Sequence, residues 1–460
     1  MTSLQSKMFN ELHSKTIFNN VQSYAFEYLD IAAERNVYPH EEAIRKMSVF
    51  EEDMPAKSAD AVEVLEQLNR NAGPATVAQI YGRYFGFVDG GALPVSMAAK
   101  QLSTYWDQNT AMYVQSPAAA ILENVVERWL RSIFNLPPTT AAGFVSGTSS
   151  ANLCALAAAR YRLLMQQNWN VNENGLANAP SITIVAGREA HSSALKAITL
   201  LGFGKKNVQF VDTDSQGRIL PETLPPLDNK TLLILQAGNV NSGSFDHFAD
   251  ICKKAKQAGA WVHIDGAFGL WVAASKKLKH LTNGIELADS WAADGHKTLN
   301  TPYDSGMVLC ADREALTAAL HASGDYFVVG KERDGMFYTP EMSRRARIFE
   351  IWAALKYLGR EGLDEMITTM HDRAVQFAEE IRKIPGFNVL NDVVFNQVVV
   401  CCESDEQTAI VLRKIQEQRE CWVGGSVWQG KKVIRVSVCS WATTEEDISR
   451  SVKSFEQALM

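Results

Sequence analysis

Lys297 stands in the stretch WAADGHKTLNTP (Trp291–Pro302), among small and polar residues and directly after a histidine. The run before it, IELADSWAAD, reads as a short strand entering a loop. A charged lysine is costly to bury, so this one is either a surface residue or a group held for chemistry. Three other stretches bear on that choice. GFVSGTSSANLCALAAARYRLL sets Gly147-Thr148-Ser149-Ser150 directly before an alanine-rich helix. Small residues there leave backbone N–H groups at a helix N-terminus, where the dipole favours an anion. WVHIDGAFG ends a strand on Asp265 and follows it with small residues, so a flat ligand can approach the carboxylate. His191 opens a helix after the strand SITIVAG, on the same side. Singly, each has an ordinary reading: a Ser/Thr cap, a turn aspartate, a polar histidine. Jointly they meet the needs of pyridoxal phosphate: a lysine for its Schiff base, an anion site for its phosphate, an acid on its pyridine nitrogen. An imidazole stacked on the ring fits the same slot. The acid keeps the nitrogen protonated, so that the ring accepts the electrons left by bond cleavage. Each pKa unit of that preference is about 1.4 kcal/mol.

Such a set has to be positioned by a sheet. From about residue 140 to 312, short apolar runs alternate with helical segments: SITIVAG (181–187), VQFVDTD (208–214), TLLILQAG (231–238), WVHIDGA (261–267) and SGMVLCA (305–311). HSSALKAITLLG and FDHFADICKKAKQAG lie between them. The pattern predicts a mostly parallel sheet covered on both faces, with its ligand beyond the carboxyl ends of the strands. Ahead of it, FNNVQSYAFEYLDIAAERNVYP and SADAVEVLEQLNRNAG read as amphipathic helices, the second capped by Ser58 and stopped at Gly73-Pro74. Their apolar faces must cover the main domain or a partner subunit. After the sheet come a long helix, MSRRARIFEIWAALKYLGREGLDEM, the alternating strands VVFNQVVVCC and KKVIRVSVCS, and a helix from about Thr444. Three units are expected: a helical dimerisation segment (1–80), a large cofactor domain (81–315), and a loop with a smaller α+β domain (316–460).

With 460 residues, 46% hydrophobic and 21% charged, the composition is that of a globular protein with ample core. A net charge of −7 without a long basic run lacks the footprint of a nucleic-acid binder. The first residues, MTSLQSKMFNELHSK, lack a signal peptide's apolar region, and no window nears the roughly 20 apolar residues of a membrane span. The seven cysteines include no C-x-x-C pair and read as reduced thiols, not metal ligands; a cytoplasmic protein is expected. Neither G-x-G-x-x-G nor a P-loop is present.

From RYFGFVDGG to RVSVCSWATTEED the chain resembles the group II pyridoxal-phosphate-dependent amino-acid decarboxylases, relatives of the aromatic-amino-acid, histidine and glutamate enzymes. AHSSALKA, HIDGAFG, DGHKTLNTPYDSG and SRRARIFEIW carry the resemblance most specifically. It implies fold type I, as in aspartate aminotransferase: a mostly parallel seven-stranded sheet with helices on both faces and a smaller C-terminal α+β domain. It also implies a homodimer with active sites at the interface, the N-terminal helices packed over the partner, and Ser116-Pro117 directed toward the substrate pocket. By the same resemblance Lys297 is the Schiff-base lysine, Asp265 the pyridinium partner, Ala267 a ring-face contact and His191 the stacked imidazole. Gly147, Thr148 and Ser149 hold the phosphate, helped by the loop of Asp294, where many relatives have asparagine; His296 touches the phosphate side or the substrate. Val240 stands where the animal enzymes have a threonine; the role of that hydroxyl is left unassigned, with Asn239 and Asn241 the candidates to share it.

In the polar stretch HASGDYFVVGKERDG, Tyr326 follows Lys297 by 29 residues. That spacing matches the mobile-loop tyrosine of the decarboxylases; relatives with phenylalanine there tend to make aldehydes. The expected reaction is decarboxylation of an L-amino acid to its amine. The alternatives are aldehyde synthesis or transamination, or a catalytically silent relative acting as an interaction protein. Trp106, Tyr113, Phe85 and Phe87 either line an aromatic pocket or belong to the core. Arg344, Arg345 and Arg347 either bind an acidic side chain or form ion pairs.

Overall fold

The first strand follows six helices: α1 (Ser3–Ser14), α2 (Thr16–Ala32), α3 (Glu41–Lys46), α4 (Ala61–Ala75), α5 (Pro94–Trp106) and α6 (Pro117–Ile133). The computed structural model describes residues 3–325 and 327–460. Next come β1 (Ala141–Val145), α7 (Thr148–Met165), the single turn α8 (Val171–Asn174), β2 (Thr183–Gly187), α9 (Ser192–Leu200) and β3 (Val208–Val211). The large unit is completed by β4 (Thr231–Gln236), α10 (Phe248–Ala258), β5 (Trp261–Asp265), β6 (Ser290–Asp294), β7 (Gly306–Cys310) and α11 (Arg313–Ala319).

The seven strands form one sheet in the order β1-β7-β6-β5-β4-β2-β3. Only β7 runs against its neighbours among them. Every residue of β1, β4, β5, β6 and β7 is buried, as a sheet covered on both faces requires. Side chains alternate between two cores. Leu233, Leu235 and Ile264 pack with residues of α6, α10 and the long helix α12 (Ile348–Ile381). Leu232, Ile234 and Trp261 pack with residues of α7, α9 and α11. The carboxyl ends of β4, β5 and β6 therefore emerge side by side, carrying Gln236, Asp265 and Asp294.

The C-terminal unit adds β8 (Asn388–Val389), β9 (Gln397–Cys401), α13 (Asp405–Gln418), β10 (Gly424–Trp428), β11 (Lys431–Ser437) and α14 (Glu445–Leu459) to α12. Its sheet is antiparallel, in the order β10-β11-β9-β8. The segment before α5 is tied to this unit: Phe85 N–H donates to Trp422 O, and Ser437 N–H to Phe85 O.

Two boundaries differ from the sequence reading. The cap of α4 is Asp60, whose carboxylate accepts from the N–H groups of Val62 and Glu63, not Ser58; the helix carries on through Pro74 to Ala75. Aspartate one residue before the helical stretch reaches those orphan N–H groups, whereas Ser58 lies too far back. The long helix is interrupted at Gly359, where φ is 58°, a conformation glycine adopts without a Cβ penalty. Among the described residues no helix is long and apolar enough to cross a membrane. All seven cysteines are free and buried.

Candidate active site

Lys297 follows β6 on a tight loop and reaches a cleft of about 580 Å³. Phe87, Val88, Asp89, His191, Val240 and Arg435 stand around it. Its Nζ lies 3.1 Å from Asp294 Oδ2. Burial works against the ammonium, but the Asp294 carboxylate, helped by Asp265, outweighs it and holds the lysine's pKa above its ordinary value. The loop itself is fixed by close packing. A Cβ on Gly90 would collide with the Lys297 carbonyl, and one on Gly306 with the backbone of Gly147. These glycines let the 88–91 segment and the start of β7 close around the lysine.

Asp265 ends β5 and is buried. Its Oδ2 accepts from Asn152 Nδ2 at 2.9 Å and Ser193 Oγ at 3.4 Å; its Oδ1 accepts from Ala267 N–H at 3.3 Å. His191 occupies the N-cap of α9, where its Nδ1 accepts from Ser193 N–H at 3.2 Å. That bond leaves Nδ1 unprotonated and turns the imidazole toward the cleft. Burial lowers the His191 pKa, with the Asp265 carboxylate opposing, so the ring is neutral. Half-buried Ala267 lies two residues beyond Asp265, and its carbonyl accepts from Asp294 N–H at 2.8 Å.

At the start of α7, Gly147 has no side chain; a Cβ there would lie 3.2 Å from the His296 ring. The hydroxyl of buried Thr148 has no partner among the described residues, a group directed at something further. Ser149 is exposed in the isolated chain. One expectation needs correction: the nest is not wholly free, because Thr148 N–H donates to Asp294 Oδ1 at 2.6 Å. A carboxylate at this place can accept from the helix N-terminus, whereas an asparagine has only its amide oxygen for that. The Thr148 hydroxyl and the remaining first-turn N–H groups are left for an anion. His296 accepts from Ser305 N–H through Nδ1 at 3.1 Å, which leaves the proton on Nε2, a nitrogen 3.7 Å from Asp294 Oδ2. Its ring packs on Tyr303 at 4.4 Å between centroids.

Several expected residues fall elsewhere. The Asn239 carbonyl closes its own turn, accepting from the N–H groups of Asn241 and Ser242, and its amide faces Gly217 rather than the lysine. Asn241 accepts from Ser426. Neither amide therefore takes the place of the hydroxyl missing at Val240, which itself lines the cleft. Phe85 is buried in the C-terminal core against Phe377, and Trp106 packs edge-on to Phe349. Half-buried Tyr113 is tied through its N–H to Asp334, and of the four aromatic residues only Phe87 lines the cleft. The arginines form ion pairs: Arg344 with Glu123, Arg345 with Asp304 and Glu350, Arg347 with Asp304. Tyr326 lies outside the described residues. The sequence reading missed Asn152, Ser193, Asp89 and Arg435. Asn152 alone had a signal, standing one turn into the helix that opens the anion site.

The residues present fit pyridoxal phosphate. Lysine and imidazole line one cleft, the Asp265 carboxylate acts on the charge of both, and Thr148, beside Asp294, offers a hydroxyl without a partner among the described residues; this is the donor set the cofactor requires.

Comparison with known proteins agrees. A family model, the pyridoxal-dependent decarboxylase conserved domain, matches residues 43–402. The chain is 27% identical over 354 residues to the acidic amino acid decarboxylase GADL1 of Mus musculus, covering 74% of this chain. It spans 62% of that relative's length, under two thirds. It is 27% identical over 349 residues to the aromatic-L-amino-acid decarboxylase of Bacillus atrophaeus, covering 73% of this chain and 69% of the other. The crystal structure of Oryza sativa TDC with PLP and tryptamine shares the fold, with a TM-score of 0.88 at 20% identity over 98% of both chains. With its family model matched over well more than half its length, the chain belongs to the pyridoxal-dependent decarboxylase family.

Proposed function

We propose that the protein removes the α-carboxylate of an L-amino acid as CO2, with pyridoxal phosphate as cofactor, and releases the amine. One observation carries this: the Lys297 amine, the His191 imidazole and the Asp265 carboxylate, which follow β6, follow β2 and end β5, stand close enough to act on one another's charge. When bound, the cofactor draws off the electron pair left by the departing carboxylate. The chain's own groups do the rest. Lys297 tethers, Asp265 holds a proton at the pyridine nitrogen, His191 covers the ring, and the Thr148 hydroxyl with the α7 N-terminus takes the phosphate. Arg435 supplies a cation for the substrate's carboxylate. It stands in the same cleft, donating to Phe87 O at 2.8 Å, and although burial lowers its pKa to about 10, it is charged at neutral pH. A panel of L-amino acids scored for CO2 and amine tests the reading; keto acid in place of amine would replace it with transamination.

Protonation of Cα is assigned to Tyr326, in the polar stretch HASGDYFVVGKERDG. A phenyl ring is nearly the same size as the phenol but cannot deliver a proton. Tyr326→Phe is therefore expected to keep the cofactor, cut amine output at least about tenfold, and yield aldehyde. In that route dissolved oxygen is reduced to hydrogen peroxide, water enters, and CO2 and ammonia leave. Equal amine from both proteins, with no aldehyde or peroxide from the variant, would assign the proton to another group.

The active unit is a homodimer. No residue of α1 or α4 is buried, and Ala32 is the one buried residue of α2. Leu4, Met8, Leu12, Phe26 and Ile31 stand exposed along the first two helices. Exposed apolar side chains in such number mark an association face, and the family resemblance puts the partner there. Light scattering on active full-length protein is expected to give twice the mass of one chain; a monomer would exclude the dimer.

A further inference from the structure

Behind Asp265 runs a line of buried polar side chains that the roles above leave unused. Trp261, His263 and Asp265 share one face of β5, at positions i, i+2 and i+4. Ser290 of β6 pairs with His263 in register, and Asn152 comes down from α7. His263, Asn152 and Ser290 are each fully buried. Trp261 Nε1 lies 3.0 Å from Ser290 Oγ, Ser290 Oγ 3.0 Å from His263 Nδ1, and His263 Nε2 2.9 Å from Asn152 Oδ1. Asn152 Nδ2 completes the line at 2.9 Å from Asp265.

The direction of every bond is determined by chemistry. A carboxylate only accepts, so the amide N–H₂ of Asn152 faces Asp265 and its carbonyl faces His263. His263 must then carry its proton on Nε2. Burial pushes its pKa down to about 4, so at neutral pH it holds no second proton, and Nδ1 accepts from the Ser290 hydroxyl. That hydroxyl oxygen accepts from the Trp261 indole, which only donates. All four bonds point toward Asp265. Asn152 Nδ2 also donates to Ser193 Oγ at 3.1 Å, and that oxygen lies 3.4 Å from Asp265 Oδ2 and 2.7 Å from His191 Nδ1.

We infer that Trp261, Ser290, His263 and Asn152 form a one-way relay of positioning residues that aims an aligned hydrogen-bond donor at the Asp265 carboxylate and so keeps the proton it shares with the cofactor on the ring nitrogen. Hydrogen bonds donated to an ionised carboxylate lower its proton affinity, and a chain of aligned bonds polarises each member further. In the hydrogen bond between Asp265 and the pyridine nitrogen, a carboxylate already engaged by the Asn152 donor leaves the proton on the ring. Breaking the relay therefore moves the proton toward Asp265. The inference rests on the reading that Asp265 faces that nitrogen.

The test uses the full-length holoenzyme loaded with pyridoxal phosphate labelled with ¹⁵N in the ring, read by solid-state or solution NMR. Wild type is expected to show a protonated nitrogen. His263→Phe keeps a flat ring without N–H and is expected to move the shift toward unprotonated pyridine, with kcat down about tenfold for each pKa unit lost and KM little changed. Ser290→Ala, a smaller perturbation of the core, is expected to move it the same way by less. His263→Gln restores an N–H facing Asn152 and is expected to recover the wild-type signal, a rescue that a purely space-filling role would not give. Wild-type shifts in both His263→Phe and Ser290→Ala would overturn the relay while sparing the reading of Asp265. An unprotonated nitrogen in wild type would overturn both.

Discussion

Purified Lys297→Ala protein is expected to lack the visible absorption of a lysine-bound cofactor and to turn over at least about 10⁴-fold more slowly, because the tether's gains from proximity and covalent reaction are lost together. Lys297 is the amine that reaches the cleft, and its contacts suit it to be held for reaction. Asp294, 3.1 Å away, fixes the ammonium, and the loop closes on the lysine's own carbonyl through Gly90. The substitution also removes the cation beside a carboxylate that is 2% exposed. Leaving a buried charge without its partner costs about 3–5 kcal/mol where nothing replaces it. Here Thr148 N–H and the His296 Nε2 proton remain near Asp294, so a smaller loss is expected. A thermal melt on the same sample separates the two effects. Folded protein that keeps the visible band would show that another amine holds the cofactor, and the assignment of Lys297 would fall.

How far the sequence carried the site follows from where each residue acts. Lys297, Asp265 and His191 were legible because each sits at a strand end or helix start, where a polar group after an apolar run has few structural uses. The sheet was legible for the same reason, as five of its strands read as apolar runs between helices. Asn239 was misplaced because a turn's local hydrogen bonds, Asn239 Oδ1 to the N–H groups of Asn241 and Ser242, leave no trace in a pattern of apolar residues. The aromatic residues near the N-terminus misled in another way. Phe85 and Phe87 are two residues apart, yet Phe85 is buried in the C-terminal core while Phe87, at a φ of 53°, is exposed and stacks on Trp422. Alternation separates them, but which side is pocket depends on a unit more than 250 residues away in the chain. His263 was open to view within WVHID, a polar residue on the same strand face as Asp265. It went unread because a buried histidine in a strand is ordinarily just a satisfied one. Its meaning needs Ser290 and Asn152, brought together by parallel pairing and by helix packing.

Asp265→Asn is expected to retain the cofactor but lower kcat by roughly three orders of magnitude, with KM changed far less. The asparagine is nearly isosteric, and its carbonyl can still accept from Asn152. What disappears is the negative charge that holds a proton at the pyridine nitrogen. If that charge shifts the nitrogen's pKa by about three units, its removal forfeits about 4 kcal/mol, and a barrier raised by that amount slows the reaction roughly 10³-fold. The loss falls on kcat because the charge acts where electrons enter the ring, whereas the phosphate site and Arg435 govern binding and are untouched. It should exceed the effect of breaking the relay, since His263→Phe weakens the carboxylate's support while leaving the carboxylate in place. The order of the two variants is the sharper check. Should Asp265→Asn retain kcat to within about tenfold of wild type, the ring proton would have to be held by some other group, and the line from Trp261 to Asn152 would be structural.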